Sequence, residues 1–197
     1  AGRVIERKAF DSDEAFSAAC YAACEAAGVD VICLAGWLKK LAIPPRWEGR
    51  ILNIHPALLP AFGGKGMYGM HVHAAVLASG EKESGATVHF VDEGMDTGPI
   101  IIQAVVPVLD NDTEDSLSAR ILKQEHKIFS RAIGLFAEGR LKVVGRRVLI
   151  DGAHNPAGLR ALRCASMVII PVTPWKSLVA AMAAALPAMP PPGMASG

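Results

Sequence analysis

Residues 51–60 read ILNIHPALLP. Ile51, Leu52 and Ile54 form a short β-branched and apolar run of the kind buried inside a parallel sheet, and Pro56 stops it. Asn53 and His55 interrupt that run at every second position, so on a strand they share one face. They also lie at its carboxyl end, where open α/β sheets bind ligands. An amide there can donate to a developing oxyanion, and an imidazole beside it can move a proton. The plainer reading is an Asn and a His that only satisfy loop backbone.

Working outward, residues 29–36 (VDVICLAG) predict a central strand, and residues 86–92 (ATVHFVD) and 99–108 (PIIIQAVVPV) predict two more. Between and around them the period changes to that of a helix. DSDEAFSAACYAACEAAG, residues 11–28, has Asp11 as a cap with Glu14 three residues on. Phe16, Ala19, Cys20 and Ala23 share a face, and Gly28 is the stop. HAAVLASG, residues 73–80, predicts a short helix. Thr113 to Gly139 predicts a long one whose stripe is Leu117, Ile121, Ile128, Ala132 and Leu135. LKVVGRRVLI, residues 141–150, reads as a hairpin. Strands alternating with helices predict an α/β fold with a mostly parallel, twisted sheet and flanking helices. A single domain over residues 1–150 accounts for this pattern. The Ala/Pro/Met-rich stretch 151–197 is too short for a core of its own and is expected to be a docked or partly disordered tail, or a fusion remnant.

The charge balance, 20 basic against 19 acidic side chains, carries no electrostatic footprint for nucleic acid or an anionic membrane, and no apolar run is long enough to span a bilayer. Small-molecule partners and a cytoplasmic location are expected. The four cysteines, at 20, 24, 33 and 164, do not make a disulfide framework and are read as reduced packing residues. His71 and His73, with His89 nearby, raise a metal reading, but no further ligand has suitable spacing, so no metal is expected.

A second polar stretch, DEGMDTGP at residues 92–99, follows one apolar strand and precedes another. Asp96 there can raise the pKa of a neighbouring imidazole and fix its orientation, or it can merely start a tight turn. Asn53, His55 and Asp96 at converging strand ends would make an acyl-transfer site.

NIHPALLP, FGGKGMYGMHVH (62–73), TVHFVDEGMDTGPIIIQAVVPV (87–108), DTEDSLSARILKQEH (112–126) and GRLKVV (139–144) together resemble the phosphoribosylglycinamide formyltransferases, also called GAR transformylases, over about residues 1–150. The resemblance implies a formyltransferase, Rossmann-like fold. It implies transfer of a formyl group from 10-formyltetrahydrofolate to the amine of glycinamide ribonucleotide in purine biosynthesis, by a monomer or weak homodimer without a metal. Asn53 would hold the oxyanion and His55 would act as proton donor. Asp96 would raise the pKa of His55 and order a water. The folate would lie against Trp37, Leu38, Lys39, Lys40 and Leu41, with Asn53 and the loop residues Val91, Asp92, Glu93 and Asp96 completing its site. Pro56 and Glu125 would touch the ribonucleotide, Glu125 at the ribose hydroxyls. Without the family, Glu125 reads as a solvated helix-face carboxylate and Trp37 as core.

The chain also departs from that pattern. It opens at AGRVIERKAFDS without an initiator Met and without a glycine- and serine-rich phosphate turn, so the fold is expected to be truncated at its N-terminus, with one sheet edge uncovered. Asp13 stands where the family often has an Arg against the folate tail. GGKGMYG (63–69) is expected to be a mobile cover over the site. RVLIDGAHNPAGLRAL (147–162) resembles the DGAHNP signature of folylpolyglutamate synthases over a length too short for a ligase. The competing functions are a formyltetrahydrofolate hydrolase, which would deliver the formyl group to water, and a non-catalytic fragment of the transferase.

Overall fold

A computed structural model of the chain describes residues 4–152 and 164–168. The elements run α1 (Asp13–Ala26), β1 (Val31–Ala35), β2 (Ile51–His55), α2 (Met70–Ser79), β3 (Glu83–Phe90), β4 (Ile100–Pro107), α3 (Glu114–Ala137), β5 (Leu141–Val144), β6 (Arg147–Ile150) and β7 (Cys164–Val168). All strands join one sheet in the order β5-β6-β4-β3-β2-β1-β7. β1 runs parallel to β2 and to β7, and β4 parallel to β6. β2–β3, β3–β4 and β5–β6 are antiparallel. The α/β architecture with flanking helices is the one the sequence predicts, and the sheet is mixed. β3 and β4 are joined by a short loop with no crossover helix, so they must run in opposite directions.

β1 divides two cores because its side chains alternate. Val31, Cys33 and Ala35 pack in the core that holds Val76 of α2 and the buried stripe of α3. Ile32 and Leu34 pack on the other face with Tyr21 and Cys24 of α1, Trp47 and Ile51. A strand buried on both faces has no polar side, which is why VICLA is apolar throughout. All five predicted stripe residues of α3 are buried. Thr113 caps that helix, accepting from the Ser116 amide while the Ser116 hydroxyl accepts from the Thr113 amide.

Several expectations change in detail. The cap of α1 is Ser12, whose hydroxyl accepts from the Ala15 amide, because Asp11 lies one residue too early. The buried face of α1 is Phe16, Ser17, Cys20, Tyr21 and Cys24, while Ala19 and Ala23 lie at its border. α2 begins at Met70, a few residues before the predicted start. The sheet edge expected to be bare is not: β7, from within the stretch 151–197, lies beside β1. The remainder of the DGAHNP stretch after Gly152 and the chain beyond Val168 lie outside the described residues. Cys20, Cys24 and Cys33 are buried in the packed interior. Among the described residues no helix is long and apolar enough to cross a membrane.

The α3 seam is expected to carry much of the stability. Ile121 is fully buried, so Ile121→Ala should cost ~2–5 kcal/mol, whereas Lys123→Ala, on the exposed face of the same helix, should stay within ~0.5 kcal/mol. Urea unfolding of both variants measures the difference.

Candidate active site

The antiparallel register of β2 and β3 sets Asn53 opposite His89 and His55 opposite Thr87. Directly opposed residues share a face. Asn53 Nδ2 therefore reaches His89 Nε2 at 3.1 Å, and His89 Nδ1 lies 2.8 Å from the carbonyl of Phe90. A carbonyl only accepts, so Nδ1 carries a proton; Nε2 then accepts from the Asn53 amide. This turns the Asn53 nitrogen toward the ring and fixes the plane of its amide.

His55, 4% exposed, is held from both sides. Its Nε2 donates to the Phe62 carbonyl at 2.8 Å, and its Nδ1 faces Asp96 Oδ2 at 3.5 Å. The loop that closes over it is pinned underneath. The Thr87 hydroxyl donates to the Ala57 carbonyl and accepts from the Leu59 amide, and Gln103 Nε2 donates both to that hydroxyl and to the Leu59 carbonyl. The buried Thr87 and, from the more exposed side of β4, Gln103 thus satisfy the backbone of HPALLP.

Asp96 stands on the β3–β4 loop with φ of 57°, and Phe62 has φ of 53°. Left-handed backbone at a non-glycine residue costs free energy and persists only where the surroundings enforce it. The enforcing contacts are visible. The Gly64 amide donates to Asp96 Oδ2 at 3.0 Å, and Asp92 Oδ1 accepts from the Gly94 amide and the Thr97 hydroxyl. Gly98 passes so close to the Phe90 carbonyl that a Cβ would collide with it.

Burial pushes the Asp96 carboxyl up, but the His89 and His55 rings, each when protonated, and the Gly64 amide outweigh it and hold the pKa below the ordinary carboxylate value. His89 Nε2 stands 3.7 Å from Asp96 Oδ1, beyond hydrogen-bond length, against 3.1 Å to Asn53. The shorter contact decides the singly protonated ring; a second proton on Nε2 would turn toward Asp96 and require the Asn53 amide to flip. For His55 the expected net direction is reversed. Desolvation by burial lowers its pKa, and it outweighs the raising influence of Asp96 and of the Phe62 carbonyl. Asp96 acts on His55 in the predicted sense but does not win.

Trp37, Leu38, Lys39, Lys40, Leu41, Asn53, His55, Pro56, Val91, Asp92, Glu93, Asp96 and Glu125, the residues singled out from the sequence, all line one cavity of about 840 Å³. Glu125 is not a solvated carboxylate: it is buried on α3, its Oε1 has no partner, and desolvation pushes its pKa up to about 8. Asp13 is absent from this lining and pairs instead with Arg7 at the start of α1. GGKGMYG supplies cavity wall through Gly64 to Gly69.

Sequence reasoning weighed His73 and His89 only as metal ligands. Each has another place. His89 orients Asn53, and His73 is a buried cavity residue on α2 with an unpartnered Nδ1. His71, two residues away on the same helix, is exposed; that spacing points the two rings to different sides of a helix, which prevents a shared ion. The alternation Thr87, His89 on β3 was the available signal for the supporting role.

Residues 1–133 match the formyl transferase family. The chain is 52% identical over 132 residues to the chloroplastic phosphoribosylglycinamide formyltransferase of Arabidopsis thaliana, covering 66% of this chain and 45% of that protein. It is 41% identical over 150 residues to the phosphoribosylglycinamide formyltransferase of Escherichia coli (strain K12), covering 75% of this chain and 68% of that one. A crystal structure of glycinamide ribonucleotide transformylase 1 from Symbiobacterium toebii superposes with a TM-score of 0.69 at 49% identity, over 74% of this chain and 67% of that chain. The chain thus spans less than half of the Arabidopsis protein.

Two titrations check the electrostatics. Asp96→Asn removes a raising influence on His55, so the imidazole pKa, followed by NMR, should fall further. For Glu125 the folded pKa is raised, so its contribution to stability is full below about pH 4.5 and is lost as pH rises through about 8. The melting temperature should decline across that window, and Glu125→Gln should flatten the decline.

Proposed function

The chain belongs to the formyl transferase family, and from that premise we propose that it transfers the formyl group of 10-formyltetrahydrofolate to the amine of glycinamide ribonucleotide, a step of purine biosynthesis. The observation that carries this reading is the gathering of Asn53, His55 and Asp96 at one wall of a cavity that also holds an apolar wall and a buried carboxyl. Trp37, Leu38, Leu41 and Val91 offer an apolar bed for a pteridine and its aromatic ring. Backbone groups of residues 91–96 suit its polar edge. Glu125, protonated at neutral pH and with no partner on Oε1, suits hydrogen bonding to ribose hydroxyls, with Pro56 beside the same substrate.

In this mechanism the amine nitrogen attacks the formyl carbon and the carbonyl oxygen gains negative charge. Asn53 Nδ2 donates to that oxygen, its amide plane held by His89. His55 in its protonated form, which Asp96 supports against the depression caused by burial, adds a positive charge beside the same oxygen. Collapse breaks the bond from the formyl carbon to the folate nitrogen, and the proton lost by the amine ends on that nitrogen, with a water ordered by Asp96 as carrier. Asn53, His55, Asp96 and substrate suffice for these steps. The partners are therefore two small molecules, and a monomer or weak homodimer in the cytoplasm is the working unit.

Hydrolysis of the same folate is the alternative outcome of such a site, because water can replace the amine. An assay that follows formylated amine and free formate separately divides the two. Transfer predicts that product forms only with the ribonucleotide and that Asn53→Ala lowers kcat ~100- to 1,000-fold. Formate release indifferent to the amine would sink the transferase reading. Asp96→Asn should also lower turnover and move the His55-dependent limb of the pH–rate profile to lower pH.

A further inference from the structure

Two helices bring to the cavity polar groups that no protein group answers. Glu125 comes from α3 and His73 from α2, and both line the cavity. Each is 4% exposed, and neither Glu125 Oε1 nor His73 Nδ1 has a hydrogen-bond partner. A buried polar atom left alone costs free energy and persists only where something else offsets it. At Glu125 a ribose hydroxyl is the proposed complement. His73 has no such complement among the described residues.

The helical period decides where His73 points. His73, Val76 and Leu77 stand at i, i+3 and i+4 of α2, so they share a face. Val76 is packed in the core that holds Ile121 and Ile128 of α3, and Leu77 packs on the same core. Glu125 lies four residues after Ile121 and three before Ile128, on that stripe. His73 is therefore on the face of α2 turned to α3, in the first turn of its helix, where side chains lean towards the helix start. Burial, and after it the charge on His55, hold the His73 pKa below the ordinary imidazole value. A neutral imidazole has one N–H and one bare nitrogen, so Nδ1 can donate or accept. The protonated Glu125 carboxyl also has a donor and an acceptor. Two hydroxyls on adjacent ring carbons match that set, because each both donates and accepts.

We propose that His73 is a second binding residue for the ribosyl acceptor, its Nδ1 pairing with one hydroxyl of the vicinal diol while the Glu125 carboxyl pairs with the other. This role rests on glycinamide ribonucleotide being the acceptor, and it adds a source of selectivity. An acceptor without those hydroxyls would leave two buried polar atoms unanswered, which is how a site built for a hydroxyl rejects the analogue that lacks it.

Calorimetric binding to the full chain tests it, with glycinamide ribonucleotide and its 2′,3′-dideoxy analogue as probes. The unmodified chain should bind the ribosyl compound at least ~100-fold more tightly than the dideoxy compound. His73→Leu removes Nδ1 at similar bulk. It should weaken the ribosyl compound ~10-fold and leave the dideoxy compound within ~2-fold, so that the gap narrows. His73→Asn, whose amide can set a polar atom near the Nδ1 position, should restore most of the loss, a rescue that packing alone would not give. Affinity for the folate should stay the same in both variants. Equal loss for the two acceptors, or no loss, overturns the role of His73. If His73→Leu melts well below the unmodified chain, ring-nitrogen NMR of the unmodified chain decides instead. Its His73 Nδ1 signal should move on addition of the ribonucleotide and not of the dideoxy analogue, and an equal response to both overturns the pairing. Failure of the unmodified chain to bind the ribonucleotide overturns the acceptor and the role of His73 together. Selective binding without transfer strikes the reaction alone and supports His73.

Discussion

The pairing of β2 with β3 is the constraint on which the site depends. It sets Asn53 against His89 and leaves His55 at the last residue of its strand, above a floor made by Thr87 and Gln103. A slip of one residue would carry Asn53 and His55 to the opposite face together. Because Leu52 and Ile54 are packed in the core with Val88 and Phe90, such a slip would take those apolar side chains out of that core, and hydrophobic burial therefore enforces the geometry of the candidate site. The polar groups are positioned by their apolar neighbours.

Two features work against stability near that register. The backbone of Phe62 and Asp96 is left-handed, and a carboxyl, Glu125, is buried without a partner on Oε1. Each costs free energy that the packed sheet and α3 must offset. Each also has a use. The Phe62 turn brings its carbonyl to His55, the Asp96 turn brings its carboxylate to the same ring, and burial keeps Glu125 protonated at neutral pH. The competition at His55 is resolved by burial, so Asp96 serves to limit a depression that would otherwise be deeper.

Much of this was legible beforehand. VICLA announces a central strand because it is apolar on both faces, ILNIH because Ile51, Leu52 and Ile54 make a short β-branched and apolar run, and the stripe of α3 follows its helical period. Asn53 and His55 could be singled out as candidates from alternation on a strand, since the two must share a face. What was hidden depends on register and on depth. Nothing local says that His89 will stand opposite Asn53, because cross-strand partners come from different parts of the chain. Glu125 stands four residues after Ile121 and three before Ile128, so its burial follows the helical period of the stripe; what nothing local says is that this part of the face borders a cavity. The antiparallel course of β3 and β4 turns on the absence of a helix between them. The occupant of the β1 edge comes from a segment whose Ala, Pro and Met content suggested only a tail.

The proposed oxyanion role of Asn53 turns on the proton of His89, because a single proton on Nδ1 is what directs the Asn53 nitrogen toward the ring. Ring-nitrogen NMR of the protein labelled at histidine, taken at a pH where this ring carries one proton, observes it directly. The geometry requires Nδ1 to be protonated and Nε2 bare and hydrogen-bonded. A proton found on Nε2 instead would mean that the Asn53 amide is turned the other way, and the oxyanion role would have no donor.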